Sequence, residues 1–242
     1  LAQGELILFY QPIYATVNED VIGLEALVRW QHKDKGLVYP DEFIGFAEES
    51  NLIVDIDHYV LELAAQQMSK WQDQFAAGFY ISVNVSGKSF SSVDFVDTVM
   101  ALKQTYQLKD GVFAIEITER ALIDNIEQTK VNLARLRERG VKIFLDDFGT
   151  GYSSLSYLHQ FPLDCLKIDR SFINDLKGNQ FDNPLVKMII ALAKSLNLKV
   201  VAEGVEKPNQ QDCLENMECD YGQGYMFSKP VSAADIEERF LP

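Results

Sequence analysis

Two aspartates stand side by side at Asp146-Asp147, after the apolar run Ile143-Phe144-Leu145 and ahead of Phe148-Gly149-Thr150-Gly151-Tyr152-Ser153-Ser154. Two ionised carboxylates this close repel each other unless a cation neutralises them. Side chains alternate faces along a strand, so Ile143 and Leu145 point one way and Phe144 and Asp146 the other. A strand that ran on would turn Asp147 away from Asp146. Gly149 and Gly151 are expected to relax the backbone there and let both acids reach one place. Taken alone, the pair is as well explained by a solvated turn. The question is whether other segments aim similar groups at the same point.

Five others do. Glu25 lies in Gly23-Leu24-Glu25-Ala26-Leu27, Asn84 in Phe79–Ser86, Glu116 in Phe113–Thr118, Lys167 in Leu163–Asp169 and Glu203 in Lys199–Gly204. Each sits late in a run with strand-like alternation, and the opposite parity is Leu, Ile, Val, Ala or Phe. One inward glutamate could be an ordinary ion-pair partner. Four inward acids (Glu25, Glu116, Asp146 and Glu203) and an asparagine converging without a cation would cost several kcal/mol each. Lys167 cannot balance them alone. An all-oxygen donor set without His or Cys suits Mg²⁺ or Mn²⁺ rather than zinc.

The elements that must position these groups follow a regular rhythm. Strands are expected at Leu6–Tyr10, Val21–Val28, Phe79–Ser86, Phe113–Thr118, the segment ending in Asp146-Asp147, Leu163–Asp169, Lys199–Gly204 and Tyr221–Phe227. Between them, helices are expected at Pro40–Ala47, Asp57–Trp71, Phe95–Tyr106, Ile126–Glu138, Ser153–His159, Leu185–Leu196, Asn209–Met217 and Ala233–Leu241. Alternation of this kind means parallel strands joined by crossover helices. Eight units in this length favour an α/β fold closed as a TIM-type (β/α)8 barrel, with a doubly wound open sheet as the alternative. No GxGxxG follows the first strand to support a dinucleotide fold. In a barrel, the polar parity faces the axis at the C-terminal mouth, where barrel enzymes place their chemistry.

Composition narrows the function classes. The 242 residues carry a net charge of −14, which argues against a DNA or RNA polymer as partner, since that needs a basic face. A small phosphate ligand stays compatible if cations meet it. Cys165, Cys213 and Cys219 have no CxxC spacing, and an odd, low count fits a reducing, cytoplasmic compartment. His32, His58 and His159 are too scattered for a histidine metal site. No apolar run reaches the roughly 18 residues of a membrane span, and no signal peptide is expected within this stretch. No membrane contact by this stretch is therefore expected. The first residue is Leu1 rather than Met, so residues 1–242 are expected to be one domain excised from a longer, multidomain protein, which a membrane segment elsewhere could tether.

With these residues in place, the chain resembles the EAL domain family of cyclic di-GMP phosphodiesterases over essentially its whole length. The resemblance rests on Glu25-Ala26-Leu27 together with Tyr10-Gln11-Pro12-Ile13, Arg29-Trp30, Asn84-Val85-Ser86, Glu116-Ile117-Thr118-Glu119, Asp146 to Gly151, Lys167-Ile168-Asp169, Ala202-Glu203-Gly204-Val205-Glu206 and Gln223-Gly224-Tyr225. It implies a modified barrel whose first strand runs antiparallel to its neighbours. It implies hydrolysis of cyclic di-GMP to linear 5′-pGpG with two Mg²⁺ or Mn²⁺ ions about 4 Å apart, and inhibition by Ca²⁺. Glu25, Asn84, Glu116 and Asp146 resemble the ligands of one metal. Asp146 would bridge to a second held with Asp147 and Glu203. Lys167, Glu203 and Glu25 would carry the catalysis, Lys167 by holding the attacking water.

Substrate contacts would come from Gln11, Arg29, Gln223 and Asp169. Phe148 to Ser153 resembles a loop between substrate site and homodimer face, with Glu119 and Glu206 as its anchors. The alternative within the family is a receptor that binds cyclic di-GMP without cutting it. Members of that kind have lost ligands or loop residues, and none is missing here. Two departures stand out. Asn51 and Glu218 replace the usual Gly, and Asn tolerates the left-handed backbone a Gly implies.

Overall fold

The structure is a computed structural model, and it describes residues 4–123, 126–149, 158–176 and 183–241. Its strands are β1 (Leu6–Ala15), β2 (Val21–His32), β3 (Gly36–Val38), β4 (Tyr80–Asn84), β5 (Phe113–Thr118), β6 (Lys142–Phe148), β7 (Cys165–Ile168), β8 (Lys199–Glu203) and β9 (Tyr221–Gln223). The helices described are α1 (Pro40–Glu49), α2 (Leu52–Trp71), α3 (Gly87–Phe90), α4 (Phe95–Thr105), α5 (Glu119–Ile123), α6 (Ile126–Glu138), α7 (Arg170–Asn174), α8 (Pro184–Ser195), α9 (Pro208–Asn216) and α10 (Ala233–Phe240).

Strands pair in the order β1-β9-β8-β7-β6-β5-β4-β2, and β1 returns to β2, so eight strands close a barrel. From β2 through β4 to β9 every barrel pair is parallel. β1 is antiparallel to both β2 and β9. The reversed first strand follows from the chain's shortest link: residues 16–20 close a hairpin, and a hairpin can join only antiparallel strands. β3 is an extra strand on the outer part of β2.

Each barrel strand sends one parity to the helices and the other to the axis. Outward residues such as Leu24, Ile81, Ile115, Ile143, Leu166 and Val200 join the large apolar cluster beneath the helices. Inward residues near the strand starts form a separate plug of Ile13, Tyr80, Ala114, Phe144, Cys165 and Val201. Tyr80 meets Phe144 edge to face, with ring centroids 5.1 Å apart at 80°. Two residues further along, the same parity becomes Ser82, Glu116, Asp146, Lys167 and Glu203. The expected division into apolar outside and polar mouth is borne out, and the plug supplies the floor beneath the mouth.

Several boundaries differ from the pattern-based expectation, each for a physical reason. The first strand does not stop at Gln11-Pro12 but continues to Ala15, with Pro12 opposite Leu24. On the other side β9 meets β1 only at Tyr14 and Ala15, while Tyr10 bonds Val231. Pro12 thus sits where a donor is not required. The last extended stretch ends at Gln223 rather than Phe227, because Phe227 N–H turns back to the Gly224 carbonyl. The strand expected over Leu163–Asp169 is shortened to Cys165–Ile168, and Asp169 instead caps α7. Helices α3, α5 and α7, four or five residues each, are too short to show a helical period. The helix expected at Ser153–His159 lies largely outside the described residues. Asn51 and Glu218 both adopt left-handed backbone, with φ of 62° and 55°, as the resemblance to Gly positions implies.

The plug also explains Gly23. It pairs with Tyr80, and a Cβ there would stand 2.6 Å from the Tyr80 ring. Both strands are fixed by their ladders, so the ring has no easy retreat. Gly23→Ala should therefore destabilise the protein by about 1–3 kcal/mol, the range for overpacking a core. In urea titrations, Gly23→Ala combined with Tyr80→Leu should cost less than the sum of the two single changes. Simple additivity would rule out this contact as the cause.

Candidate active site

The paired acids owe their position to a β-bulge. Along β6 and β7, Phe144 faces Cys165 and Leu145 faces Leu166, but the next partners are Phe148 and Ile168. Two residues, Asp146 and Asp147, therefore oppose Lys167 alone. Asp147 takes left-handed backbone with φ of 55°, and its N–H donates to Asp146 Oδ1 at 3.0 Å. The expectation that glycines bring the acids together is thus corrected. The reversal begins at Asp147 itself, and Gly149 with φ of 97° continues it. Gly151 lies outside the described residues. Asp146 stays nearly buried on the axis, while Asp147 is exposed at the rim.

Lys167 is wholly buried at the centre. Its Nζ lies 2.5 Å from Glu116 Oε2, 2.6 Å from Glu203 Oε1, and 3.5 Å from both Glu25 Oε2 and Asp146 Oδ1. Four strands thus aim carboxylates at one ammonium carried by a fifth. Burial alone would lower the lysine's pKa. Asp146, Glu116, Glu203 and Glu25 outweigh it and hold the pKa well above the ordinary value, so Lys167 remains an ammonium. For the acids the balance is opposite. Burial, followed by repulsion from Glu25 and Asp146, pushes Glu116 well up despite Lys167. Burial, with Asp146 and Glu25, pushes Glu203 up to about 8.

Glu25 links this core to the polar rim. Its Oε1 accepts from Asn84 Nδ2 at 2.6 Å, and its Oε2 from Gln223 Nε2 at 2.6 Å. Gln223 also donates to Gln11 Oε1 at 3.1 Å, and Gln11 Nε2 donates to the Ser228 carbonyl. This chain of amides spans β1, β2 and β9, and it exists because the β1 hairpin sets Gln11 opposite Glu25. Arg29, four residues beyond Glu25, donates to the Val28 carbonyl, with its guanidinium 5.0 Å from the Tyr39 ring and 5.8 Å from that of Phe9. Beside these groups lies a cavity of about 250 Å³ lined by Gln11, Glu25, Asp146, Glu203, Gln223 and Tyr225 among others.

The donor set suits a hard cation. It is all oxygen, it holds more negative than positive charge, and Glu116 Oε1 is buried without a hydrogen-bond partner. Among the described residues no three His, Cys, Asp or Glu side chains already form a cation-binding group. Glu116 and Glu203 are instead drawn onto the Lys167 ammonium. The residues fit the group that the sequence leads one to expect, and the carboxylates are directed at the lysine.

Of the residues expected from sequence, Gln11, Glu25, Asn84, Glu116, Asp146, Lys167, Glu203 and Gln223 are brought together, with Arg29 and Asp147 at the rim. Asp169 also caps α7: its Oδ1 accepts from Ser171 N at 3.0 Å and Ser171 Oγ at 2.5 Å. Its carboxylate still raises the Asp147 pKa, after burial and Asp146. Glu206 lines the cavity. Glu119 opens α5, and the loop that it and Glu206 are expected to anchor lies mostly outside the described residues. Sequence reasoning missed Arg170 as a cavity residue. A cation directly after Lys167-Ile168-Asp169 was the available signal.

Fold and site together define a TIM-type barrel with an acidic, oxygen-donor mouth. The EAL domain family matches residues 1–230, and the chain belongs to that family. It is 44% identical over 238 residues to the cyclic di-GMP phosphodiesterase NbdA of Pseudomonas aeruginosa, covering 98% of this chain and 30% of that protein. It is 41% identical over 236 residues to the bifunctional diguanylate cyclase/cyclic di-GMP phosphodiesterase MucR of the same organism, covering 98% of this chain and 34% of that one. The chain thus spans about a third of the length of these curated relatives. A solved structure of PaMucR phosphodiesterase in complex with c-di-GMP aligns with a TM-score of 0.92 at 40% identity, covering 97% of this chain and 95% of that one.

The raised Glu203 pKa has a measurable consequence. The unfolded carboxyl ionises near its ordinary value, while the folded one keeps its proton to about pH 8. Stability from this group is therefore full at low pH and declines as pH rises from about 5 to 8. Lys167 stays charged across that window and leaves the slope unchanged. With chelator present, wild type should lose Tm more steeply over that range than Glu203→Gln. Parallel slopes would show that Glu203 ionises normally.

Proposed function

We propose that this chain is a metal-dependent phosphodiesterase that opens cyclic di-GMP to linear 5′-pGpG. The observation that carries the reading is Lys167, buried among Glu25, Glu116, Asp146 and Glu203 and bordered by the Gln11–Gln223–Glu25 amide chain. Relatives named cyclic di-GMP phosphodiesterases support the substrate. Hydrolysis adds water across one P–O3′ bond: the water oxygen joins phosphorus, and the 3′ oxygen leaves and takes a proton. Lys167, held as an ammonium, offsets phosphate charge and donates to the water, but it cannot serve as a base. Glu203 borders the cavity, placed to hold the second cation or to orient the attacking water. Arg29, Gln11 and Gln223 bind the dinucleotide away from the reacting bond.

Glu25, Asn84, Glu116 and Asp146 would hold one Mg²⁺ or Mn²⁺ and Asp146, Asp147 and Glu203 a second, ions that acidify water and stabilise charge on phosphate and leaving oxygen when bound. Ca²⁺ prefers longer bonds and more ligands, so it is expected to occupy these acids without supporting turnover. Asp169, beside Asp147, would contact the substrate while its Oδ1 caps α7. The segment Phe148 to Ser153, with Glu119 and Glu206 as anchors, would join the site to a homodimer face. We place the chain as one phosphodiesterase domain of a longer cytoplasmic or membrane-tethered protein. Among the described residues, no helix is long and apolar enough to cross a membrane.

The test pairs hydrolysis with binding. Wild type with Mg²⁺ or Mn²⁺ should convert cyclic di-GMP to pGpG, resolved by chromatography. Glu25→Ala should lower kcat by about 10³-fold or more, because the lost contribution exists mainly in the transition state. Lys167→Ala should act similarly while keeping Mn²⁺ binding, since an ammonium is no ligand. Both variants should still bind the dinucleotide in part. Wild type that binds but never cuts would make the chain a receptor instead, and Glu25→Ala cutting normally would remove β2 from the site.

A further inference from the structure

Of the four residues proposed to hold the first cation, Asn84 is the exposed one. It is the last residue of β4, whereas Glu116 and Lys167 are wholly buried. One side-chain hydrogen bond, to Glu25, ties it to the site. Its direction therefore depends on how the chain leaves β4. Val85 N–H bonds the Glu116 carbonyl at 2.9 Å, and the next residue, Ser86, is gripped from a different element.

That grip is Asp57 on α2. Asp57 Oδ2 accepts from Ser86 N at 3.0 Å, from Ser86 Oγ at 2.6 Å and from Ser89 Oγ at 2.6 Å. Ser86 Oγ in turn accepts from Ser89 N–H at 3.2 Å and caps α3. Asp57 is 6% exposed and Ser89 is wholly buried. A buried carboxylate is expensive, and these three donors all belong to the turn that follows Asn84. The Ser86 cap alone would be enough to start α3. Stability alone does not account for a carboxylate reaching this turn from α2.

We infer that Asp57 is a positioning residue for the phosphodiester reaction, fixing the Asn84 side chain in the cation site by clamping Ser86 and Ser89. This rests on the reading of Asn84 as a cation ligand. Groups that orient metal ligands from behind typically change affinity or activity by about 10- to 100-fold when removed.

A double-mutant cycle with two readouts tests it. Mn²⁺ affinity is followed by electron paramagnetic resonance, and kcat by pGpG formation, for wild type, Asp57→Ala, Asn84→Ala and the double variant. Asp57→Ala should weaken Mn²⁺ binding and lower kcat by about 10- to 100-fold, with KM for cyclic di-GMP changed far less. On the Asn84→Ala background it should do nothing more to Mn²⁺ affinity. In the metal-free protein, amide exchange at Val85 and Ser86 should quicken. If Asp57→Ala fails to fold, Ser89→Ala keeps the carboxylate and the Ser86 cap of α3, loses the Ser89 Oγ bond to Asp57, and should show the same pattern at smaller size. Wild-type Mn²⁺ affinity and kcat in these variants, or losses that add fully to those of Asn84→Ala, would overturn the inference. An Asn84→Ala variant with unchanged Mn²⁺ affinity would overturn it together with the ligand assignment it rests on, whereas an effect of Asn84→Ala alone would leave that assignment standing.

Discussion

One buried ammonium facing four carboxylates is the constraint on which the rest of the molecule depends. Acids collected on an apolar floor repel one another strongly, and Lys167 at 2.5–3.5 Å from each of them is what the folded chain itself offers against that. The compensation is incomplete. Glu116 and Glu203 are pushed toward protonation, which is how a protein relieves charge it cannot solvate. On the proposed reading, the same deficit that weakens folding at higher pH is what would draw a divalent cation. Had the chain placed a second lysine inside, the barrel would be more stable and the acids would have nothing to recruit.

The barrel makes this arrangement possible by geometry rather than by any special local preference. Parallel strands in register bring their ends to one level, and the period of two sends every second side chain to the axis. Tyr80 and Phe144 fill the lower layer, so the charged layer two residues later cannot sink or hydrate from below. Two local departures from regularity then finish the site. The β1 hairpin reverses one strand and delivers Gln11 opposite Glu25. The bulge in β6 spends one extra residue to set two acids where the ladder allows one.

Much of this was legible in the sequence because parity survives without coordinates. Glu25, Glu116, Asp146, Lys167 and Glu203 each stood out against apolar neighbours, and each does face the axis. The eight barrel strands were likewise visible from runs of four to eight residues. What could not be seen was anything that depends on pairing across strands. The bulge is a mismatch between β6 and β7, so it has no signature in β6 alone, and the turn was credited to Gly149 and Gly151. The reversed β1 came from family resemblance, since an apolar run looks the same in either direction. The second use of Asp169, as the cap of α7, was hidden because one spacing serves both a substrate contact and a helix cap. Asp57 was hidden as one more polar residue in an amphipathic helix, its partners about thirty residues away.

Left-handed backbone at non-glycine residues separates two uses of strain. Such a conformation costs an ordinary residue roughly 1–2 kcal/mol, less for Asn and Asp. At Asn51 the side chain takes a hydrogen bond from Lys88 at 2.8 Å, and at Glu218 the carboxylate takes one from Lys194 at 2.6 Å. These surface bonds accompany the strain at the edge of the fold, where a Gly would serve as well. Asp147 differs. Its backbone conformation is what makes the bulge, and its N–H is turned onto the Asp146 carboxylate. A Gly there would relieve the backbone but delete the second acid. The chain keeps a strained aspartate at a left-handed position where, on the proposed reading, the side chain itself belongs to the chemistry.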